Sequence, residues 1–336
     1  MNTNKFLLSL AISCFSFVAP TVAQEAGGNL KKEVIANYAA IAGNATADAL
    51  LKAEELKKAV AEYAATPSQE SQSKAKDAWL AARMPYLQAE VFRMSDADAG
   101  ALDGAPAGDG KPGGFHTIEF ILWGKDESET GPGKRDFVAF AKAKDGGQLV
   151  ASADLIVAAS AERAAAWKDG VADNARAKLL ALPEDQALAV ILGNLRKLAS
   201  NELAQERVGK PFKSRDQKDE TSQFSDLTHL DLIYTCSGMA NVVAGAYVGL
   251  DRKPKVQGSG LLKLAESAGE ARGKALKLAI NRVMFAVTDF RPPFDRALAA
   301  PDDSPAREAI QEMLDALGEL SAEVEALAKA LDVKLP

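Results

Sequence analysis

Apolar positions recur every three or four residues along almost the whole chain, and no sustained run alternates β-branched with polar residues, so the pattern predicts helix nearly throughout. The clearest stripe follows Ser304-Pro305: Ile310, Leu314, Leu317, Leu320, Val324, Leu327 and Leu331 lie on one face of a long helix. Pro183 opens another, carrying Leu188, Ile191, Leu192, Leu195 and Leu198. In Thr66-Pro67-Ser68-Gln69 the pattern predicts an N-cap at Thr66, Pro at the first helical position and a capping-box Gln. Breaks fall at residues 99–114, rich in Gly, Ala, Asp and Pro, at 128–134, and at 251–260. One short apolar segment, from Gly114 to Gly124, lies between the first two breaks. Long helices joined by short loops pack as bundles, so the expected fold is all-α. A boundary near residue 150 divides it into an N-terminal helical lobe, residues 24–150, and a C-terminal one, 151–336.

The first 23 residues stand apart. Lys5 precedes the apolar run from Phe6 to Val18, and Thr21-Val22-Ala23 offers small residues at a cleavage site, so residues 1–23 read as a signal peptide and the mature chain as starting at Gln24. The run is too short to span a bilayer, and no transmembrane segment is expected in the mature chain. The alternative, lipoprotein anchoring at Cys14, lacks the usual Leu in Ala11-Ile12-Ser13. Export of this kind points to the periplasm. The composition fits a globular protein, with 336 residues, 47% hydrophobic and 26% charged. A net charge of -6 argues against nucleic acid as a partner. With 2 His and 2 Cys, multi-cysteine zinc modules and disulfide frameworks are excluded, so each imidazole matters.

His116 and Glu119 sit three apart at the start of the 114–124 segment, hence on one helix face, where an imidazole and a carboxylate can approach one cation. The adjoining Gly114 lets backbone run close to a partner element. Upstream, Trp79, Arg83, Tyr86 and Glu90 form one stripe beside an apolar one, Leu80, Met84, Leu87, Val91 and Met94, with Pro85 inside the same helix. This stripe fits either a polar cleft or an amphipathic border with Arg83 and Glu90 in solvent. The second imidazole, His229, follows Asp226 by three, so the pair is expected to share a helix face, with Asp231 pointing elsewhere and Ser222 or Ser225 capping the helix. The helix is expected to run on through Val242, Val243, Ala246 and Leu250, with Cys236 a buried apolar thiol.

Together these segments resemble the imelysin-like proteins. Gly114-Phe115-His116-Thr117-Ile118-Glu119 is similar to that family's Gly-x-His-x-x-Glu signature. Ala78-Trp79 through Arg93, Phe224 through Asp231, and Pro293-Phe294-Asp295 are similar to its other motifs, with Leu227 where the family pattern has Asn. The resemblance implies two helical-bundle lobes with a cleft between them, and a role in bacterial iron uptake at the cell envelope. It also carries the label of a metallopeptidase, although the zincin His-Glu-x-x-His helix is absent from this sequence. The reading is therefore a binding protein rather than an enzyme, with iron or another divalent cation, free or as an iron complex, as its ligand. His116 and Glu119 are the first candidate ligands or ligand-orienting groups, with Glu90, Asp226 and His229 as further donors. Arg83, Tyr86, Gly114 and Asp231 are candidates for contact with a chelated complex. A metal-free docking protein for an outer-membrane receptor, or another envelope transport partner, is the third reading. Both His116→Ala and Glu119→Ala are expected to remain folded.

Overall fold

The computed structural model describes residues 30–93, 102–104, 106, 110–126 and 131–336. Residues 1–23, expected to be a signal peptide, and Cys14 within them lie outside the described residues, as does Met94. Helix dominates, as the periodicity predicts. The first helix, α1 (Leu30–Ala65), packs along α2 (Gln69–Gln88) and along α5 (Gly146–Trp167). Between α2 and α5 come α3 (Phe115–Trp123) and α4 (Phe137–Ala143). After α5 follow α6 (Ala175–Ala181) and α7 (Glu184–Lys197), which runs into a π-helix (Leu198–Gly209) and the short α8 (Lys210–Ser214). The C-terminal part comprises α9 (Thr228–Ala244), α10 (Leu261–Ser267), α11 (Glu270–Asp289), α12 (Phe294–Ala299) and α13 (Pro305–Ala330). Among the described residues, no helix is long and apolar enough to cross a membrane.

Two buried apolar clusters organise these helices. The smaller joins Leu56, Val60 and Tyr63 of α1 to Trp79 and Tyr86 of α2, Phe115, Ile118 and Leu122 of α3, and Ile156 of α5. The larger takes the first half of α1, including Val34, Tyr38 and Ile41, and packs it with α7, α9, α11 and α13. In α13 the predicted stripe is the buried face: Ile310, Leu317, Leu320, Val324 and Leu327 are all fully buried. Ser304 caps this helix through Arg307 N, and Pro305 occupies its first turn.

Three local expectations are corrected. The cap of α2 is Ser68, not Thr66: Ser68 is extended, its hydroxyl accepts from Ser71 N–H at 3.1 Å, and the Ser71 hydroxyl accepts from Ser68 N–H at 3.0 Å. The run through Ala246 and Leu250 is not helical to its end. Gly245 takes the left-handed conformation (φ 74°) that closes α9, and the chain then forms a small antiparallel hairpin, β1 (Ala246–Val248) with β2 (Pro254–Gln257). Its Tyr247 is buried and donates to Asp48 Oδ2 at 2.9 Å, which fastens the hairpin to α1. Within the 99–114 break, Leu102 and Asp103 lie in a helical turn.

Candidate functional site

The α2 stripe read as polar is the buried one. Trp79, Arg83 and Tyr86 are all at most 2% exposed, because the stripe faces α3 and α9 rather than water. Trp79 Nε1 donates to the Phe115 carbonyl at 2.9 Å, pinning α3 to α2. Arg83 is clamped by two carboxylates. It donates through Nε and Nη2 to both oxygens of Asp231, at 3.1 and 2.5 Å, and through Nη1 to Asp103. Its guanidinium carbon lies 5.1 Å from the Phe115 ring centre and 5.7 Å from that of Tyr86. Tyr86 donates its hydroxyl to Asp103 Oδ2 at 2.7 Å. Burial raises the pKa of the Asp103 carboxyl, but the Arg83 and Arg207 guanidiniums outweigh it and hold the group well below the ordinary carboxylate range.

His116 opens the first turn of α3, whose N-cap is Gly114. Its Nδ1 meets Glu119 Oε2 at 2.8 Å, as the three-residue spacing predicts, and its Nε2 lies 3.7 Å from Asp103 Oδ1. Glu119 has no exposure at all. Its other oxygen accepts three hydrogen bonds, from Phe224 N–H (3.1 Å), Ser225 N–H (2.9 Å) and the Ser225 hydroxyl (2.7 Å). Both oxygens of Glu119 are therefore engaged. With a carboxylate at Nδ1, the neutral imidazole carries its proton there and leaves the Nε2 lone pair open. A cavity of about 310 Å³ is lined by Arg83, Asp103 and His116 together with Arg207, Lys210 and Glu220. A larger hollow of about 630 Å³ beside Phe290 and Arg296 contains none of these groups.

The glycine of the signature serves packing. A Cβ on Gly114 would lie 1.9 Å from the Leu102 carbonyl oxygen, so only glycine allows the Leu102–Asp103 turn to rest on the start of α3. Gly114→Ala is expected to displace that turn and cost about 1–3 kcal/mol. Urea unfolding with an unchanged slope would measure it, and a wild-type midpoint would mean that the turn yields without cost.

The other candidates separate. Glu90 lies beyond the end of α2, in a 3-10 turn (Glu90–Phe92), and does not line the His116 cavity. Its oxygens accept from Arg207 at 2.7 and 2.8 Å, from Arg93, and from the Thr235 hydroxyl at 3.1 Å. Asp226 and His229 do not share a helix face, because α9 begins only at Thr228 and Asp226 precedes it in a left-handed conformation (φ 57°). His229 does not line the cavity, its Nδ1 has no hydrogen-bond partner, and burial lowers its pKa. Asp231, expected to point elsewhere, is the residue that reaches Arg83, and the Ser222 hydroxyl donates to it at 2.6 Å. Neither serine caps α9: Ser222 serves Asp231 and Ser225 serves Glu119. Cys236 is fully buried, which pushes its thiol up to about 12. Sequence reasoning missed Asp103, hidden in a segment read as irregular, and Arg207, which no motif marks.

The family model described as Imelysin matches residues 35–324. No curated protein matches the chain in sequence. Among solved structures, a protein described as an iron-regulated protein A precursor from Parabacteroides distasonis superposes with a TM-score of 0.71 at 18% identity, over 92% of this chain and 96% of that one. An imelysin-like protein from Psychrobacter arcticus superposes with a TM-score of 0.64 at 12% identity, over 94% and 99%. At such identities the likeness concerns the fold. The family match spans most of the sequence, and the chain belongs to the imelysin family.

Proposed function

We propose that this protein handles iron in the bacterial envelope, as a periplasmic binding protein whose cargo cation is taken by His116 Nε2 beside Asp103. The observation that carries this reading is the order Asp103, His116, Glu119, in which one carboxylate holds the imidazole and leaves its other nitrogen toward a cavity. Asp103 Oδ1, which also accepts from Arg83, keeps a second lone pair, and its distance of 3.7 Å from Nε2 is within the span of one ion about 2.1 Å from each atom. A nitrogen and a carboxylate oxygen suit iron or another borderline divalent metal. With so few protein donors, water or a carrier molecule completes the coordination, as a cargo site requires. Glu119 acts as the positioning group, and Arg83 and Tyr86 hold Asp103 in place rather than reaching for a chelate. The iron-regulated description of the Parabacteroides protein supports the same direction.

A peptidase reading finds less support, because both oxygens of Glu119 are engaged and none is left to activate a water. Titration calorimetry of the purified protein with ferrous and ferric salts tests the proposal. Wild type is expected to bind, His116→Ala to lose more than about 100-fold, and Asp103→Asn to weaken. Protons compete for the imidazole, so affinity is expected to fall on acidification. Equal binding by wild type and His116→Ala overturns the site, and no binding by wild type turns the reading toward a docking protein.

A further inference from the structure

At the Phe224–Asp226 segment, three aspartates from separate parts of the chain converge. Asp126 follows α3, Asp226 precedes α9, and Asp295 lies in the first turn of α12; one carboxylate oxygen of each lies within 4.8 Å of the others. Asp126 and Asp295 are buried and Asp226 is half-buried. A fourth carboxylate, Glu220, is 94% buried, since its exposure is 6%, and its Oε1 has no hydrogen-bond partner. Burial raises its pKa most, a hydrogen bond with Thr228 acts to lower it, and the charges of Asp295, Asp226 and Asp126 raise it further. Asp226 Oδ2 likewise has no hydrogen-bond partner.

We propose that Asp126, Asp226 and Asp295, with Glu220 as a fourth donor, form a second cation site of calcium-binding character, distinct from His116. All four donors are carboxylate oxygens, the ligand set of a hard cation. Calcium takes oxygens at about 2.3–2.6 Å, so ligands across the ion stand up to about 5 Å apart, which accommodates the observed spread; magnesium, at about 2.1 Å, needs a tighter cage. Burial and the neighbouring carboxylates push Glu220 up to about 9, and burial, the neighbouring carboxylates and a side-chain hydrogen bond with Asp126 push Asp226 up to about 7. The site would brace the segment that supplies Phe224 N–H and Ser225 to Glu119, linking α3, α9 and α12 through one ion.

Thermal melting and calorimetry with calcium chloride, after treatment with EDTA, test this. Wild type is expected to gain melting temperature as calcium is added, since an ion bound only by the folded state stabilises it by mass action. Asp295→Asn and Asp226→Asn are expected to bind calcium at least about tenfold more weakly. In EDTA, Asp226→Asn is expected to melt above wild type, because it removes a repulsion, which shows that the variant folds. His116→Ala is expected to keep the full calcium response, so failure of the iron site and failure of this one are separately visible. A calcium response of equal size in wild type and in both aspartate variants overturns the proposal. So does a wild type that does not respond, which would mean that protons alone hold the cluster.

Discussion

Arg83→Ala is expected to destabilise the protein by about 3–5 kcal/mol, the cost of leaving buried carboxylates without their cation. Arg83 is 1% exposed and Asp231 2%, so neither can turn to water once its partner is gone. Asp231 would retain the Ser222 hydroxyl and Asp103 the Tyr86 hydroxyl, yet neither donor carries charge. The aromatic faces of Trp79, Tyr86 and Phe115, which flank the guanidinium, would also line a cavity. Lysine should not rescue the variant, because an ammonium cannot present the two parallel donors that grip Asp231. Urea unfolding by circular dichroism measures the loss. A change under about 1 kcal/mol would mean that the pair is solvated in solution, as in an exposed ion pair.

The helical architecture was legible in the sequence where a segment buries one face by its own periodicity. The α13 stripe and the Gly114–Gly124 segment, which becomes α3 between two glycine caps, are examples. The His116–Glu119 contact was legible because i,i+3 spacing on a helix is local geometry. What stayed hidden depends on contacts between distant segments. Asp231 looked misdirected relative to His229, but its partner is Arg83, 148 residues away. Glu90 looked continuous with Arg83 and Tyr86 until the helix ended at Gln88, and Arg207 from the π-helix claimed it. Asp226 looked paired with His229 because the sequence does not reveal the left-handed turn that delays α9. The same turn places it with Asp126 and Asp295, from segments roughly 100 and 70 residues away in sequence, beyond any spacing rule.

Glu119 and His116 are expected to respond differently, although the spacing of the signature makes them look equivalent. Removing the imidazole in His116→Ala forfeits one hydrogen bond beside a cavity, worth about 1 kcal/mol, and the protein should stay folded without its metal ligand. Glu119→Ala instead strands the Phe224 and Ser225 amides, the Ser225 hydroxyl and His116 Nδ1 in a place with no exposure. Each buried unpaired group costs about 1–3 kcal/mol, so a net loss of about 3 kcal/mol or more is expected even if water enters. This replaces the expectation that both variants remain folded, because a residue that ties α3 to the α9 approach is part of the scaffold. Glu119→Gln then isolates the positioning role. If the amide oxygen keeps the three donors at the Phe224 side, the amide N–H₂ faces His116 Nδ1. The imidazole must then accept there and carry its proton on Nε2, closing the lone pair that the cavity needs. Stability should change little while iron affinity falls nearly as far as in His116→Ala. Urea unfolding and calorimetry on the same three variants separate the outcomes. If Glu119→Gln binds iron as wild type does, Glu119 does not set the tautomer of His116.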